Sequence, residues 1–543
     1  MTILTHKNTS TQNNPLVSVG PAKKIQNPSR EKNCSLPTRP LLAILVIVFA
    51  FAATACRKDL SELNINPDQP LSADPNYLYV YALQQGMGNY NSDVNLRQWS
   101  IMNWTMYLAA RGGVEEGREY EMPSGKDAFW REQYTNTLSN TQIIIEMAAE
   151  NPNMVNMKAA AEIWQVYIFQ ILTDLWGDIP YSEALKGMTG LVFSPSYDSQ
   201  QDIYLQMINK VRDAVQSFDP SAGFFNPESD LIYNGNMMKW QTLGNSLMLR
   251  LATRINRVDP QTYATIVEEL KNKPLIRSQQ EAALFPYNSV HKNPLWETMY
   301  RNESVIQNNP SKFFADLVDS RNDPRASVFF QEAPLSFLPF IPKYKGIPNL
   351  LPNGHAAWDN YNLNQSLGIA GEWGDISQIG TWFLRNNTPG VIMNYAEVCF
   401  LLAEAALQGL WDEDPQSLLR EGVRAHIEYI NLFGDEEHQI PESEIHIFLL
   451  NLPQVTLEEV ITQKWLSFAY EQGFEAFAEY RRTGFPVLTD YFGHAINQDI
   501  FPKRLPYPPS EQTLNRANYN KALINQGPDN EFTHLWWNNT LSH

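Results

Sequence analysis

The sequence predicts a mostly α-helical body in which paired helices form a scaffold for a large, loop-rich half. Apolar residues recur at helical spacing in four long blocks. Between the second and third blocks, residues 274–392 are rich in Pro, Asn and Gly and show little periodicity. Only 3 Cys and 27 Gly occur and no heptad is sustained, so disulfide-framework, collagen-like and coiled-coil classes are excluded.

The periodic blocks predict the main helices. Their apolar stripes run through residues 157–173, 237–256, 394–408 and 456–472. In the first block, for example, Trp164, Tyr167 and Ile171 recur at spacings of three and four. Further helices are expected at 76–87, 128–149, 201–217, 260–272 and 415–431. No strict 34-residue period is visible, so periodicity alone predicts a helical-hairpin stack without naming a repeat family.

The fourth block carries signals for its start and for the end of the segment after it. Thr456 can cap the helix N-terminus, and Glu459 three residues later can complete a capping box. Gly484 and Pro486 are expected to end the following segment.

The irregular region predicts ordered loops rather than disorder. One short helix is expected after Ser311, and the rest of 274–392 is rich in Trp, Tyr and Phe, which argues against disorder. Long ordered loops over a rigid scaffold commonly carry binding sites.

The N-terminus reads as a secretion signal. Basic residues precede the apolar run LLAILVIVFAFAATA at 41–55, which is short for a membrane span of about 20 residues. Ala53-Thr54-Ala55-Cys56 resembles a bacterial lipobox, in which the signal is cleaved before a lipidated Cys56; Ala53 stands where Leu is usual. The alternative is an ordinary signal peptide with an incidental cysteine. We predict a leader and signal at 1–55, a tether at 56–75 and one body at 76–543.

Charge and motifs exclude several functions. The net charge of −18 disfavours a nucleic-acid binder, which needs a basic surface. The sequence contains no GxSxG, HExxH, P-loop or Rossmann glycine pattern, so neither catalytic residues nor a cofactor is predicted. The scattered His residues predict no metal site. We therefore expect the protein not to be an enzyme.

Three polar features have both a functional and a structural reading. Asp174 and Asp178 flank a turn and could hold a cation, although capping and turn bonds are favoured. The segment EAFAEYRR at 475–482 could hold a ligand acid, although internal ion pairing is favoured. Cys399 could be a catalytic thiol, but it lies in an apolar helix rather than an electropositive, partly open setting, so a buried structural cysteine is favoured.

Loop aromatics supply the candidate binding residues. Aromatic rings flanked by Asn, Asp and Gln suit a ligand with both an apolar face and polar groups, as a sugar ring has. The alternative is that each ring only anchors its loop to the body. Another aromatic in such loop sequence is Trp382. The substrate-binding candidates are Trp104, Tyr107, Trp358, Tyr361 and Trp373.

Eight segments in order resemble the SusD/RagB family of nutrient-binding outer-membrane lipoproteins, and the second SusD-like subfamily in particular. The segments are LNINPDQP, LTDLWGDIPYSEAL, WQTLGNSLMLRLATRI, RNDPRA, YAEVCFLLAEAALQGLW, ITQKWLSFAYEQGFEAFAEYRRTGFPVL, RLPYPPSEQTLNRANYNKAL and LWWN.

The resemblance implies a fold, a location and a partner. The helix pairs would be tetratricopeptide-like, and the lipid anchor at Cys56 would hold the protein on the outer surface of the outer membrane. The partner would be a SusC-type TonB-dependent transporter that receives an oligosaccharide or, for some members, a peptide. Family members are not enzymes. Their ligand residues vary with substrate, so the resemblance transfers no site. We predict an oligosaccharide-binding lipoprotein; the alternatives are a peptide-binding member, a protein-interaction scaffold without a small ligand, and a surface hydrolase, which is disfavoured.

Overall fold

Helices dominate the computed structural model, which describes residues 74–88, 94–110, 114, 119–187, 190–224, 226–301, 308–361 and 375–538. The helices before the irregular region are α1 Pro75–Gly86, α2 Lys126–Glu132, α3 Ser139–Glu150, α4 Val155–Trp176, α5 Gln200–Ser217, α6 Met237–Arg254 and α7 Pro260–Leu270. Segments of π-helix run through Val94–Ile101 and Gln133–Leu138. The predicted helix at 128–149 is therefore three consecutive pieces, with the π-helical segment between α2 and α3.

The remaining helices lie within and after the irregular region. They are α8 Pro294–Arg301, α9 Lys312–Ser320, α10 Ala326–Phe329, α11 Tyr395–Leu407, α12 Pro415–Phe433, α13 Glu442–Leu450, α14 Leu457–Ser467, α15 Gly473–Thr483, α16 Pro509–Leu514 and α17 Arg516–Gln526. Helices are present at all nine predicted blocks; the block at 128–149 is interrupted by π-helix, and the helix predicted at 456–472 ends early, at Ser467.

Polar side chains define where many helices begin. An N-cap side chain accepts a hydrogen bond from a backbone N–H of the first turn in eight of the longer helices, at Asp74, Ser199, Asn236, Asp259, Ser311, Asn394, Asp414 and Thr456. At α14 the Thr456 hydroxyl accepts from Glu459 N at 3.1 Å, as predicted. The Glu459 carboxylate binds the Arg321 guanidinium at 2.7 Å instead of turning back to complete the capping box.

Consecutive helices pack against each other, as the hairpin-stack prediction requires. Helix α4 contacts α3 and α5, and α6 contacts α5 and α7; α11 packs on both α12 and α14. Helix α15 ends at Gly484, which has φ +78° and so forms the expected left-handed C-cap. The predicted fold class, mostly α with a loop-rich half, is confirmed.

The irregular region contains more regular structure than its sequence predicts. The expected short helix is α9, but α8 and α10 are also present, with short 3₁₀ turns at Ala356–Tyr361 and Thr381–Leu384. These pieces have at most eight residues, which is too short for a 3.6-residue period to emerge from the sequence.

Two small antiparallel sheets fasten the loops to the body. Strand β1 Leu108–Ala110 pairs with β3 Asn308–Pro310, and β2 Ala283–Phe285 pairs with β4 Gly390–Met393. Each pairing joins two segments that are far apart in sequence, so it holds together the two ends of the chain segment between them.

A buried ion pair links the first helical group to the second. Arg250 on α6 binds Glu397 on α11 through Nε–Oε1 and Nη2–Oε2 contacts of 2.6 Å each. The same guanidinium donates to Ile392 O at 2.8 Å, and the side chains of Arg250 and Glu397 are only 3% and 0% exposed. This two-point geometry fixes the rotation of α6 against α11.

The predicted secretion signal and tether lie almost wholly outside the described residues. In the part of the chain that the structure describes, no helix is long and apolar enough to cross a membrane.

Candidate loop surface for ligand binding

Two of the predicted ligand-binding aromatics lie in the core. Trp104 is 3% exposed, with its ring centroid 5.5 Å from that of Phe477. Tyr107 is fully buried and stacks on Trp465 at 4.2 Å, and its hydroxyl donates to Trp465 O at 2.6 Å. Burial raises the pKa of the Tyr107 phenol well above its usual value. As placed, neither ring offers a face to a ligand, so direct stacking would require both to leave the core.

The other predicted aromatics belong to the loop-rich half. Trp358 is 9% exposed, and its indole N–H donates to Pro352 O at 3.0 Å, which anchors the turn around it. Trp382 is fully buried and donates to Ile430 O, so it is a core residue. Tyr361 ends the 3₁₀ turn Ala356–Tyr361, but its side chain, like all of Trp373, lies outside the described residues.

The structure brings together the two loops that carried the predicted residues. Val114 forms a parallel bridge with Pro352. Val114 N donates to Leu351 O at 3.0 Å, and Asn353 N donates to Val114 O at 2.9 Å. The loop after Tyr107 therefore lies beside the Trp358 turn.

Asn349 joins this pair of loops to a third segment. Its carboxamide oxygen accepts from Phe313 N at 3.1 Å, and its nitrogen donates to Thr489 O at 2.7 Å. Its backbone carbonyl accepts from Tyr491 N at 3.1 Å. Because Asn349 is only 4% exposed, these bonds are shielded from water and hold the three segments in a fixed arrangement.

We call the bonds of Asn349 the Asn349 clamp. Next to it lies a group of residues that we call the loop surface, formed by the exposed His355, Phe492 and His494, the half-buried Tyr491 and the buried Trp358. The Phe492 ring is 49% exposed, with its centroid 5.5 Å from His355 and 5.3 Å from Tyr491. The ring centroid of His494 is 6.2 Å from that of Phe492. Among these residues Phe492 presents the largest open apolar ring, and both imidazoles are exposed.

A tight turn positions Phe492. One carboxylate oxygen of Asp490 accepts from Phe492 N and His494 N at 2.9 Å each. Gly493 has φ +82°, a conformation that favours glycine at this point of the turn. Sequence reasoning missed Phe492, although the signal was present: DYFGH places an aromatic inside an Asp-to-Gly turn.

The loop surface combines apolar contact with hydrogen-bonding groups. His355 Nδ1 accepts from Ala357 N at 3.1 Å, which assigns the proton of the neutral ring to Nε2, where it can be donated to a hydroxyl. An open ring beside such donors suits a ligand with an apolar face and polar edges.

The polar features with two readings have internal partners. Asp174 accepts from the Tyr204 hydroxyl at 2.5 Å. Asp178 accepts from Gln200 N at 2.8 Å, and burial raises its pKa to about 6. Cys399 is buried as predicted, and burial raises the pKa of its thiol.

The segment 475–482 forms internal ion pairs, as predicted. Glu475 and Glu479 both bind the buried Arg254, and Glu479 also binds Arg482 at 2.7 Å. Arg481 instead donates to a backbone carbonyl at 2.8 Å.

Another cluster could hold a cation. Ligand atoms of Asp435, Glu437 and His438 all lie within 4.8 Å of one another. His438 Nε2 is already 2.8 Å from the Thr381 hydroxyl, and both acids are exposed, so the cluster alone assigns no metal.

Comparison with known proteins identifies the family. Residues 72–508 match the SusD-like_2 family, described as starch-binding associating with outer membrane. No curated protein matches the chain. Among solved structures, a chitin-binding protein is 25% identical, with a TM-score of 0.74 over 86% of this chain and 100% of its own. A chitin-binding SusD homologue from Flavobacterium johnsoniae is 24% identical, with a TM-score of 0.66 over 86% of this chain and 98% of its own. A SusD homologue from Bacteroides fragilis is 23% identical, with a TM-score of 0.71 over 85% of this chain and 99% of its own. The chain therefore belongs to the SusD-like_2 family.

Proposed function

We propose that this protein is a lipid-anchored lipoprotein of the outer cell surface that binds an oligosaccharide and delivers it to a SusC-type TonB-dependent transporter. The observation that carries this proposal is the exposed Phe492 ring, which lies near both His355 and His494 at the junction of the loops that bear the predicted aromatics. Membership of the SusD-like_2 family supports the nutrient-binding role. The chitin-binding relative supports a glycan as the ligand class.

Binding would use stacking and hydrogen bonds at the loop surface. Phe492 would contact the apolar face of a sugar ring, and the flanking imidazoles would bind hydroxyl groups. Trp358 would act beneath this contact by holding its turn through the bond to Pro352. Tyr361, which ends this turn, and Trp373, which follows it in the same loop sequence, remain predicted ligand contacts.

The test is calorimetric titration of the full chain with chito- and malto-oligosaccharides. Phe492→Ala should weaken binding about tenfold, which corresponds to about 1.4 kcal/mol. Phe340→Ala removes a ring that is 62% exposed outside the loop surface and serves as the matched control. Unchanged affinity in Phe492→Ala would contradict the proposed site, and cleavage of the sugar would contradict a purely binding role. Recovery of a TonB-dependent transporter with the tagged chain from native membranes tests the partner.

A peptide ligand is the second candidate, because the net charge of −18 favours cationic molecules through the long-range field. Competition between a neutral oligosaccharide and a basic peptide separates the two candidates. Bound sugar that the peptide does not displace would favour a sugar ligand, whereas binding of the peptide when no sugar binds would favour a peptide ligand.

A further inference from the structure

A second concave site lies away from the loop surface. A cavity of about 530 Å³ opens between α2, the π-helical segment Gln133–Leu138, the loop through 180–195 and the start of α16. We call it the Trp130 cavity. Its apolar lining includes Trp130, Tyr134, Pro180, Phe193, Pro195 and Leu514. Its volume falls in the range of ligand-binding clefts, and it shares no residue with the loop surface.

Hydrogen bonds hold the walls of this cavity in place. The Tyr134 hydroxyl donates to Pro180 O at 2.7 Å, and Asn515 Nδ2 donates to Pro195 O at 2.8 Å. The carboxylate of Asp198 accepts from Ser182 N at 2.8 Å, which fixes the loop after Pro180. The cavity is therefore preformed, so binding there would not require ordering of its walls.

The rim exposes large apolar side chains. Phe193 is 78% exposed and Leu514 is 79% exposed, on opposite chain segments of the rim. Leu191, two residues before Phe193 in the sequence, is 72% exposed. Apolar groups gathered at the edge of a concave site indicate a partner that removes them from water. Aliphatic Leu and Pro walls favour an apolar side chain over a sugar, whose hydroxyls would lose water without replacement.

One donor at the cavity lining has no acceptor among the described protein groups. Trp130 is 5% exposed and lines the cavity, yet no described residue accepts a hydrogen bond from its indole N–H. The N–H groups of Trp164, Trp176 and Trp240 donate to protein acceptors, whereas the N–H of the buried Trp537, like that of Trp130, has no acceptor among the described residues. A backbone carbonyl of a bound peptide is a suitable acceptor for the Trp130 N–H.

The charged side chains that line the cavity favour an acidic group on the ligand. Asp127 pairs with Lys126 at 2.6 Å, and Glu511 accepts from the Tyr197 hydroxyl at 2.6 Å. The Arg131 side chain is 67% exposed, and its carboxylate contact, to Glu132, is a distant 3.8 Å. Arg131 is therefore the lining charge most open to a ligand, and it complements an acidic group.

We propose that the Trp130 cavity docks a peptide segment of a partner protein, one that carries adjacent large apolar residues followed by an acidic group. The apolar side chains enter the cavity beneath Phe193 and Leu514. A backbone carbonyl accepts from the Trp130 N–H, and the acid pairs with Arg131. This inference is independent of sugar binding at the loop surface.

The probe is a fluorescein-labelled peptide of sequence Gly-Gly-Pro-Leu-Phe-Pro-Asp, titrated against the full chain by fluorescence anisotropy. We expect saturable binding, at least tenfold weaker when Leu and Phe of the peptide are replaced by Ser, and weaker again when its Asp is replaced by Lys. Absence of binding at millimolar protein would overturn the proposal. Competition by a neutral oligosaccharide, with equal binding of the Ser peptide, would reassign the cavity to sugars and also overturn it.

Variants of the exposed rim test the location without disturbing the core. Phe193→Asp and Leu514→Asp should each reduce peptide affinity at least tenfold and leave the thermal transition unchanged. Val290→Asp, at a side chain 92% exposed elsewhere, is the matched control and should bind normally. Trp130→Phe keeps a ring but removes the N–H, and should weaken the same binding. Rim variants that bind as the unaltered chain does would overturn the assignment, whereas sugar binding by the same variants reports on the loop surface separately.

Discussion

Glu471, which follows the last turn of α14, should make stability fall as pH rises. Its carboxylate accepts from the Tyr429 hydroxyl at 2.8 Å, while Arg97 Nη1 donates to its backbone carbonyl rather than to its side chain. Burial raises the pKa of Glu471 from about 4.5 to about 8. The folded protein therefore favours the protonated form. The resulting stabilisation is complete below about pH 4.5 and is lost as pH rises through about 8.

The expected size follows from the same values. Each pKa unit corresponds to about 1.36 kcal/mol, so the full difference would be about 5 kcal/mol. Because Glu471 keeps partial exposure, solvent relaxes some of this penalty, and we expect about 2–4 kcal/mol. Glu471→Gln imitates the protonated acid, so it should match the unaltered chain near pH 5 and exceed its stability by that amount near pH 9.

Urea unfolding of both chains at several pH values measures this difference. Subtraction of the two curves cancels the titration of Asp178 and other shared groups. Glu436→Gln, at an exposed carboxylate, is the control and should show a nearly constant difference. A stability difference for Glu471→Gln that does not change between pH 5 and pH 9 would refute the argument that burial keeps this acid protonated.

Three further substitutions test the roles of buried side chains. Trp104→Ala should cost about 3–5 kcal/mol of unfolding free energy because the ring is 3% exposed; a normal thermal transition with lost sugar binding would instead support Trp104 as a ligand contact. Glu397→Gln should cost about 3–5 kcal/mol because it leaves the buried Arg250 charge unpaired, and denaturant titration would contradict this by showing less than about 1 kcal/mol. Trp358→Phe should lose the hydrogen bond to Pro352 O, which costs about 1 kcal/mol of unfolding free energy. The same change should reduce the free energy of sugar binding by more than that amount.

The helices could be predicted because their information is local. A stripe such as that of α6 repeats over five turns, and a cap such as Thr456 lies within three residues of the N–H that it accepts from. The short helices of the irregular region could not be predicted in this way. Helix α10 has four residues, fewer than two turns, so no periodicity exists to be detected.

The candidate site could be predicted only in part, because ring burial is a tertiary property. Tyr107 and Trp358 both stand beside polar loop sequence, yet Tyr107 is covered by Trp465, which lies 358 residues later. Nothing near Tyr107 in sequence reveals that contact. Phe492 escaped prediction for the opposite reason: its turn is local, but its neighbour His355 is not.

Asn349 shows how the loop-rich half stays ordered without long strands. A buried backbone group must find a hydrogen-bond partner, and here the partners are side chains and short bridges from distant segments. The Asn349 carboxamide satisfies Phe313 N and Thr489 O together, and Val114 satisfies Leu351 O and Asn353 N. Each bond crosses between segments, so the loops constrain one another as the strands of a sheet would. A binding surface built this way can change its exposed side chains, such as Phe492, while the buried clamp and the helical scaffold remain the same. This division explains why scaffold segments identify the family by sequence, whereas the proposed ligand contacts rest on the structure.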